Sequence, residues 1–124
     1  MSQVIAIAAG GALGSVLRYG LSNWVYSLAG RGFPYGTLVV NVLGSLAMGI
    51  LFVLMVERMG TSAVWRAGML IGVLGGFTTF STFSIETFNL IEQGAMAKAA
   101  ANMLASLILC VCATWFGVML ARQL

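Results

Sequence analysis

From residue 4 to residue 28 the chain meets one charged side chain, Arg18. Three further runs, near 37–56, 64–91 and 96–121, are almost as free of charge. That pattern constrains the fold more than any other feature. Spanning a bilayer as a helix takes about 20 consecutive, mostly apolar residues, and four such spans with short connections use nearly all 124 residues. Soluble domains are roughly 45–50% apolar and about 25% charged, whereas this chain is 60% apolar and 7% charged, with a mean hydropathy of +1.02. A water-soluble fold would lack the polar surface to cover so much apolar side chain. A β-barrel would show alternating segments of about ten residues, a pattern not seen here. The expectation is an all-α membrane protein, one transmembrane domain over residues 1–124.

The first run lacks a basic leading segment and carries Arg18 inside it, so it reads as a membrane helix rather than a signal peptide. Cys110 and Cys112 lie two positions apart in a helical run. They point in different directions and suggest small apolar filler rather than a disulfide or a metal pair. The chain has no histidine and no aspartate, which removes the commonest general base and the commonest zinc ligand. Its only lysine, Lys98, sits at a helix end. An enzyme is not expected.

Between the first two spans lies GRGFPYG, residues 30–36, with the only proline, Pro34; it suits a turn or a helix start. Four spans put both termini and the middle loop on one side. Arg58, Arg66 and Arg122 fall there, while Arg31 and Lys98 fall on the other and Arg18 lies deeper. A lysine and arginine excess sets orientation in the membrane, and this chain has almost none. Either a partner fixes one orientation, or the chain inserts both ways and pairs as an antiparallel homodimer. The charge balance and small size favour the dimer.

Polar residues within the spans form stripes. Thr37, Asn41 and Ser45 recur every fourth residue in the second span, and Asn102, Ser106, Cys110 and Thr114 in the fourth. Gly10, Gly14 and Arg18 do the same in the first. Small and hydroxylated faces let membrane helices approach closely, which accounts for Gly10, Gly14, Gly44 and Gly49. Asn41 is harder to assign to packing alone, because a mid-span amide has several hydrogen-bonding positions to satisfy. Arg18 could snorkel to the interface or raise the potential of a vestibule.

The third span holds GGFTTFSTFS, residues 75–84. On a helical wheel Thr78, Thr79, Thr82 and Glu86 cluster, with Phe80 and Phe83 away from them. Glycine and β-hydroxyl residues are weak helix formers, so a break is expected here. Broken backbone at membrane depth is tolerated where it is buried or lines a cavity, and carbonyls it releases can coordinate a cation. Phenylalanine in a membrane usually packs. Beside hydroxyls its ring edge, the positive end of the quadrupole, could also meet a small anion that has shed water.

GGALGSVLRYG in the first span, GTLVVNVLGS in the second and GGFTTFSTFS in the third, in this order and over the whole chain, resemble the Fluc/CrcB fluoride channels. The resemblance implies an antiparallel homodimer of dual topology in a bacterial cytoplasmic (inner) membrane, with two fluoride pores and passive export that gives fluoride resistance. Phe80 and Phe83 would supply an edge-on aromatic box, with Asn41 near it. Ser81, Thr82, Ser84 and Ser106 would line the path, with Thr37 nearer a mouth. Backbone carbonyls of Gly75 and Thr78 from both copies would hold a structural sodium ion. Arg18 and Glu86 match the family's arginine and carboxylate. Family members can carry a further hydroxyl where this chain has Cys110, a weaker donor.

The partners implied are a second copy, the bilayer and fluoride, with no nucleic acid. Two rivals remain at this point. A small multidrug-type proton-coupled exporter needs a membrane-embedded carboxylate; its family carries that group in the first helix, where this chain has none, which leaves Glu86. An accessory membrane subunit would use every polar stripe for packing.

Overall fold

The computed structural model describes residues 1–124 and contains helices and no strands. Helix α1 (Ser2–Ala29) ends at Gly30, whose φ of 83° suits glycine. Pro34 precedes α2 (Tyr35–Phe52) at the position where its missing N–H costs nothing, and a π-helical turn, Val53–Arg58, continues it. The Ser62 side chain accepts from Trp65 N–H and starts α3 (Ala63–Arg66). A π-helical stretch, Ala67–Val73, leads into α4 (Leu74–Phe77). Helices α5 (Phe80–Glu92) and α6 (Met96–Gln123) complete the chain. Four stretches are long and apolar enough to cross a membrane: Ser2–Ala29, Tyr35–Arg58, Ala63–Glu92 and Met96–Gln123.

Small residues bring these spans together. A Cβ on Gly10 would stand 2.3 Å from Gly68 O, and one on Gly14 would stand 2.1 Å from Val73 O, so α1 lies backbone against backbone on the third span. The second and fourth spans meet the same way, with Gly49 against Thr114 O at 2.3 Å and Gly117 against Leu46 O at 2.5 Å. In lipid, helix association rests on such close packing because burying apolar surface supplies no drive there. Only 19 of the 124 residues are buried, so most large apolar side chains face outward, as a lipid-facing bundle requires.

Candidate functional site

Between α4 and α5 the backbone leaves the helix for two residues. Thr78 (φ −86°, ψ 155°) and Thr79 (φ −148°, ψ 114°) are both extended. The glycines before them and the β-branched hydroxyl residues themselves make helix the weaker choice locally. Side chains then take over the hydrogen bonding. Thr79 Oγ1 accepts from Thr82 N–H at 3.1 Å and so starts α5, and it donates to Thr82 Oγ1 at 2.9 Å. Arg18 Nε donates to Gly76 O at 3.1 Å. Asn41, reaching across from α2, donates to Thr79 O at 3.0 Å and accepts from Thr79 N–H at 2.8 Å. The Thr78 carbonyl takes no hydrogen bond within the chain.

This segment forms one wall of a cleft of about 530 Å³ between the second span, the third span and α6. Asn41, Ser45, Thr78, Thr79, Ser106 and Thr114 supply its polar lining, while Phe80, Phe83, Met48 and Cys110 are among the remaining walls. No charged residue lines it. The Phe80 and Phe83 rings lie 5.2 Å apart at 49° to each other. Phe80 is 77% exposed, so the ring pair stands at the open side of the cleft.

The stripe on α6 divides its labour. Asn102, 2% exposed, donates to Thr87 Oγ1 at 2.8 Å and ties α6 to α5. Thr114 Oγ1 donates to Ser45 O at 2.9 Å and ties α6 to α2. Ser106 and Cys110, between these ties, line the cleft. A third polar group stands on α5: Tyr26 Oη and Thr37 Oγ1 each donate to a different oxygen of Glu86, and Arg31 lies over the Tyr26 ring at 4.5 Å.

The structure thus brings together Asn41, Thr78, Phe80, Phe83 and Ser106 at the cleft, and Thr37 with Glu86 in a separate cluster. Ser81 and Ser84 are exposed and lie outside that lining; Ser84 Oγ donates back to Phe80 O at 2.9 Å. Thr82 is held by Thr79. Arg18, from α1, bonds a carbonyl at the end of α4. Tyr26 belongs to no polar stripe in the sequence, yet it bonds Glu86. Its one trace in the sequence is Gly36 beside Thr37, the opening a ring needs: a Cβ there would meet Tyr26 Cε2 at 2.4 Å.

Four membrane-length helices, three of them bordering an uncharged cleft with hydroxyls in its wall, define a small multi-pass membrane protein. The sequence profile described as "CrcB-like protein, Camphor Resistance (CrcB)" matches residues 5–118, and the chain belongs to that family. It is 55% identical to the fluoride-specific ion channel FluC of Coxiella burnetii (strain Dugway 5J108-111) over 98% of this chain and 99% of the relative. It is 52% identical to the protein of the same name from Geobacter sulfurreducens over the full length of both. The Methylococcus capsulatus protein of that name is 51% identical over 98% of this chain and 54% of its own length.

Proposed function

We propose that the protein is a fluoride-selective passive channel that lets cytoplasmic fluoride leave the cell and so gives fluoride resistance. The observation that carries this reading is the composition of the cleft: a contacting Phe80–Phe83 pair among hydroxyls and an amide, without a charged side chain. Fluoride holds its water tightly. Selective passage needs neutral donors that replace that water without trapping the ion; ring edges add positive potential without a full charge. A cation path would favour ring faces and a carboxylate, and the cleft has no carboxylate. Full-length relatives named as fluoride-specific channels support the same ion.

The working unit we infer is an antiparallel homodimer with two pores in a bacterial cytoplasmic membrane. Phe80, Ser81, Ser84 and Gly75 are all exposed on a single chain, and hydroxyls and broken backbone are costly against lipid. A second copy would cover them. The near-tie in basic residues across the bilayer allows each orientation. Thr37 and Glu86 would then lie towards one mouth of the path.

Sodium fits the break. The Thr78 carbonyl is unbonded, carbonyls here are hard oxygen donors of the kind such cations take, and Arg18 and Asn41 bond Gly76 O and Thr79 O rather than the Gly75 and Thr78 carbonyls. A bound sodium would supply positive charge to this backbone. The exporter reading is weakened by Glu86, whose two oxygens are already occupied by Tyr26 and Thr37.

The test is fluoride efflux from liposomes holding the purified protein, with chloride efflux measured alongside and Phe80→Ile as control. Fast fluoride release, slow chloride release and loss of flux in a folded mutant dimer are expected. Absence of fluoride flux from folded dimers would return the hydroxyl stripes to packing and leave the accessory subunit.

A further inference from the structure

Asn41 sits in the wall of the cleft, where an ion ligand is the obvious role for its amide. Its carbonyl oxygen and one of its two N–H bonds are committed to the backbone. A peptide group that leaves the helix inside a membrane has no water to satisfy it, and each unpaired N–H or C=O is costly. At Thr79 both groups are satisfied by one side chain: Asn41 Nδ2 donates to the carbonyl at 3.0 Å and Asn41 Oδ1 accepts the amide hydrogen at 2.8 Å. The orientation of the amide is set by this pairing. A backbone N–H can only donate and a carbonyl can only accept, so the flipped amide would lose both bonds. In effect the side chain stands in for the neighbouring strand that an extended residue would have in a sheet.

The consequence reaches the aromatic pair. Thr79 immediately precedes Phe80, and its own hydroxyl starts α5. Whatever holds the Thr79 peptide therefore sets the direction in which α5 leaves the break and where the Phe80 and Phe83 rings stand. Gly44, on α2 beside Asn41, closes the same contact from below; a Cβ there would meet Thr78 Cγ2 at 2.2 Å. We propose that Asn41 is a positioning residue, which clamps the Thr79 peptide through both atoms of its amide and so places the phenylalanines. The clamp stands on geometry alone; its consequence for the ion path rests on the channel reading above.

The test uses the unmodified dimer first. Asparagine side-chain amides labelled with nitrogen-15 report four sites, Asn23, Asn41, Asn89 and Asn102, and carbon-13 reports the phenylalanine rings. On titration with fluoride the Phe80 and Phe83 signals are expected to move in the native dimer and to lose that response in Asn41→Leu. A ring response in Asn41→Leu equal to the native one would overturn the proposal. In parallel, exchange of the Thr79 amide hydrogen is followed in Asn41→Leu and in Asn41→Asp, which keeps the acceptor and loses the donor. Exchange about tenfold faster is expected in Asn41→Leu, the scale set by one lost hydrogen bond, with a smaller rise in Asn41→Asp. Unchanged exchange in both would refute the clamp. If no ring signal responds to fluoride, the channel reading fails, and Thr79 exchange still decides the clamp.

Discussion

Gly14→Ala is the most informative single change to the bundle, because one methyl group tests how α1 is held to the third span. The added Cβ would sit 2.1 Å from Val73 O and 2.9 Å from Phe77 N. Both neighbours are backbone, so no flexible side chain can swing aside. To go from 2.1 Å to an ordinary contact of 3.4 Å the helices must part by about 1.3 Å at this point. A gap of about 0.5–1 Å already forfeits a quarter to a half of a contact's dispersion energy, and overpacking costs about 1–3 kcal/mol where the structure cannot yield. With backbone on both sides the expected loss is about 3 kcal/mol. Arg18, one turn further along α1, would be drawn from Gly76 O, so fluoride flux should fall even in the fraction that stays folded. Gly20→Ala is the matched control, since its Cβ would meet nothing within 4 Å, and replacing a helical glycine by alanine favours the helix by about 1 kcal/mol. Detergent unfolding midpoints of the two variants, read beside liposome flux, give the comparison. A Gly14→Ala protein as stable as Gly20→Ala would refute the backbone-to-backbone contact.

Phe80→Ile and Phe83→Ile should each abolish most fluoride flux while leaving assembly intact, as chemical crosslinking and efflux from the same preparation would reveal. Asn102→Leu removes a buried bond to Thr87 and is expected to cost about 1–2 kcal/mol, measured by unfolding in detergent. Glu57→Gln breaks the 2.6 Å pair with Arg122 at the exposed end of the bundle; exposed ion pairs contribute little, so the unfolding midpoint should not move. Replacing sodium with a large organic cation during purification should lower dimer yield on crosslinking, while monomer helicity by circular dichroism stays unchanged.

Helices were legible in this chain because a single property, apolarity sustained over some twenty residues, decides them. The small faces were legible too: Gly10 and Gly14 recur at helical spacing, and both, like Gly49 on α2, lie against backbone. What spacing could not supply was the partner of each polar atom. Asn41 and Thr79 lie 38 residues apart, and Tyr26 and Glu86 lie 60 apart; a wheel drawn for one helix at a time contains neither pairing. The same limit applies to Arg18, whose spacing does not name its bonding partner. The bond it makes is to a carbonyl that exists as a free acceptor only because the chain leaves the helix at Thr78. Ser81 and Ser84 suit a polar lining by residue type, and both are exposed on the single chain, outside the residues that line its cleft. The extended segment thus governs two separate outcomes, at Arg18 and at Asn41. A helical Thr78–Thr79 would rotate α5 and remove the acceptor for Arg18 together, so any substitution that restores helix there should change ring placement and the Arg18 bond in one step.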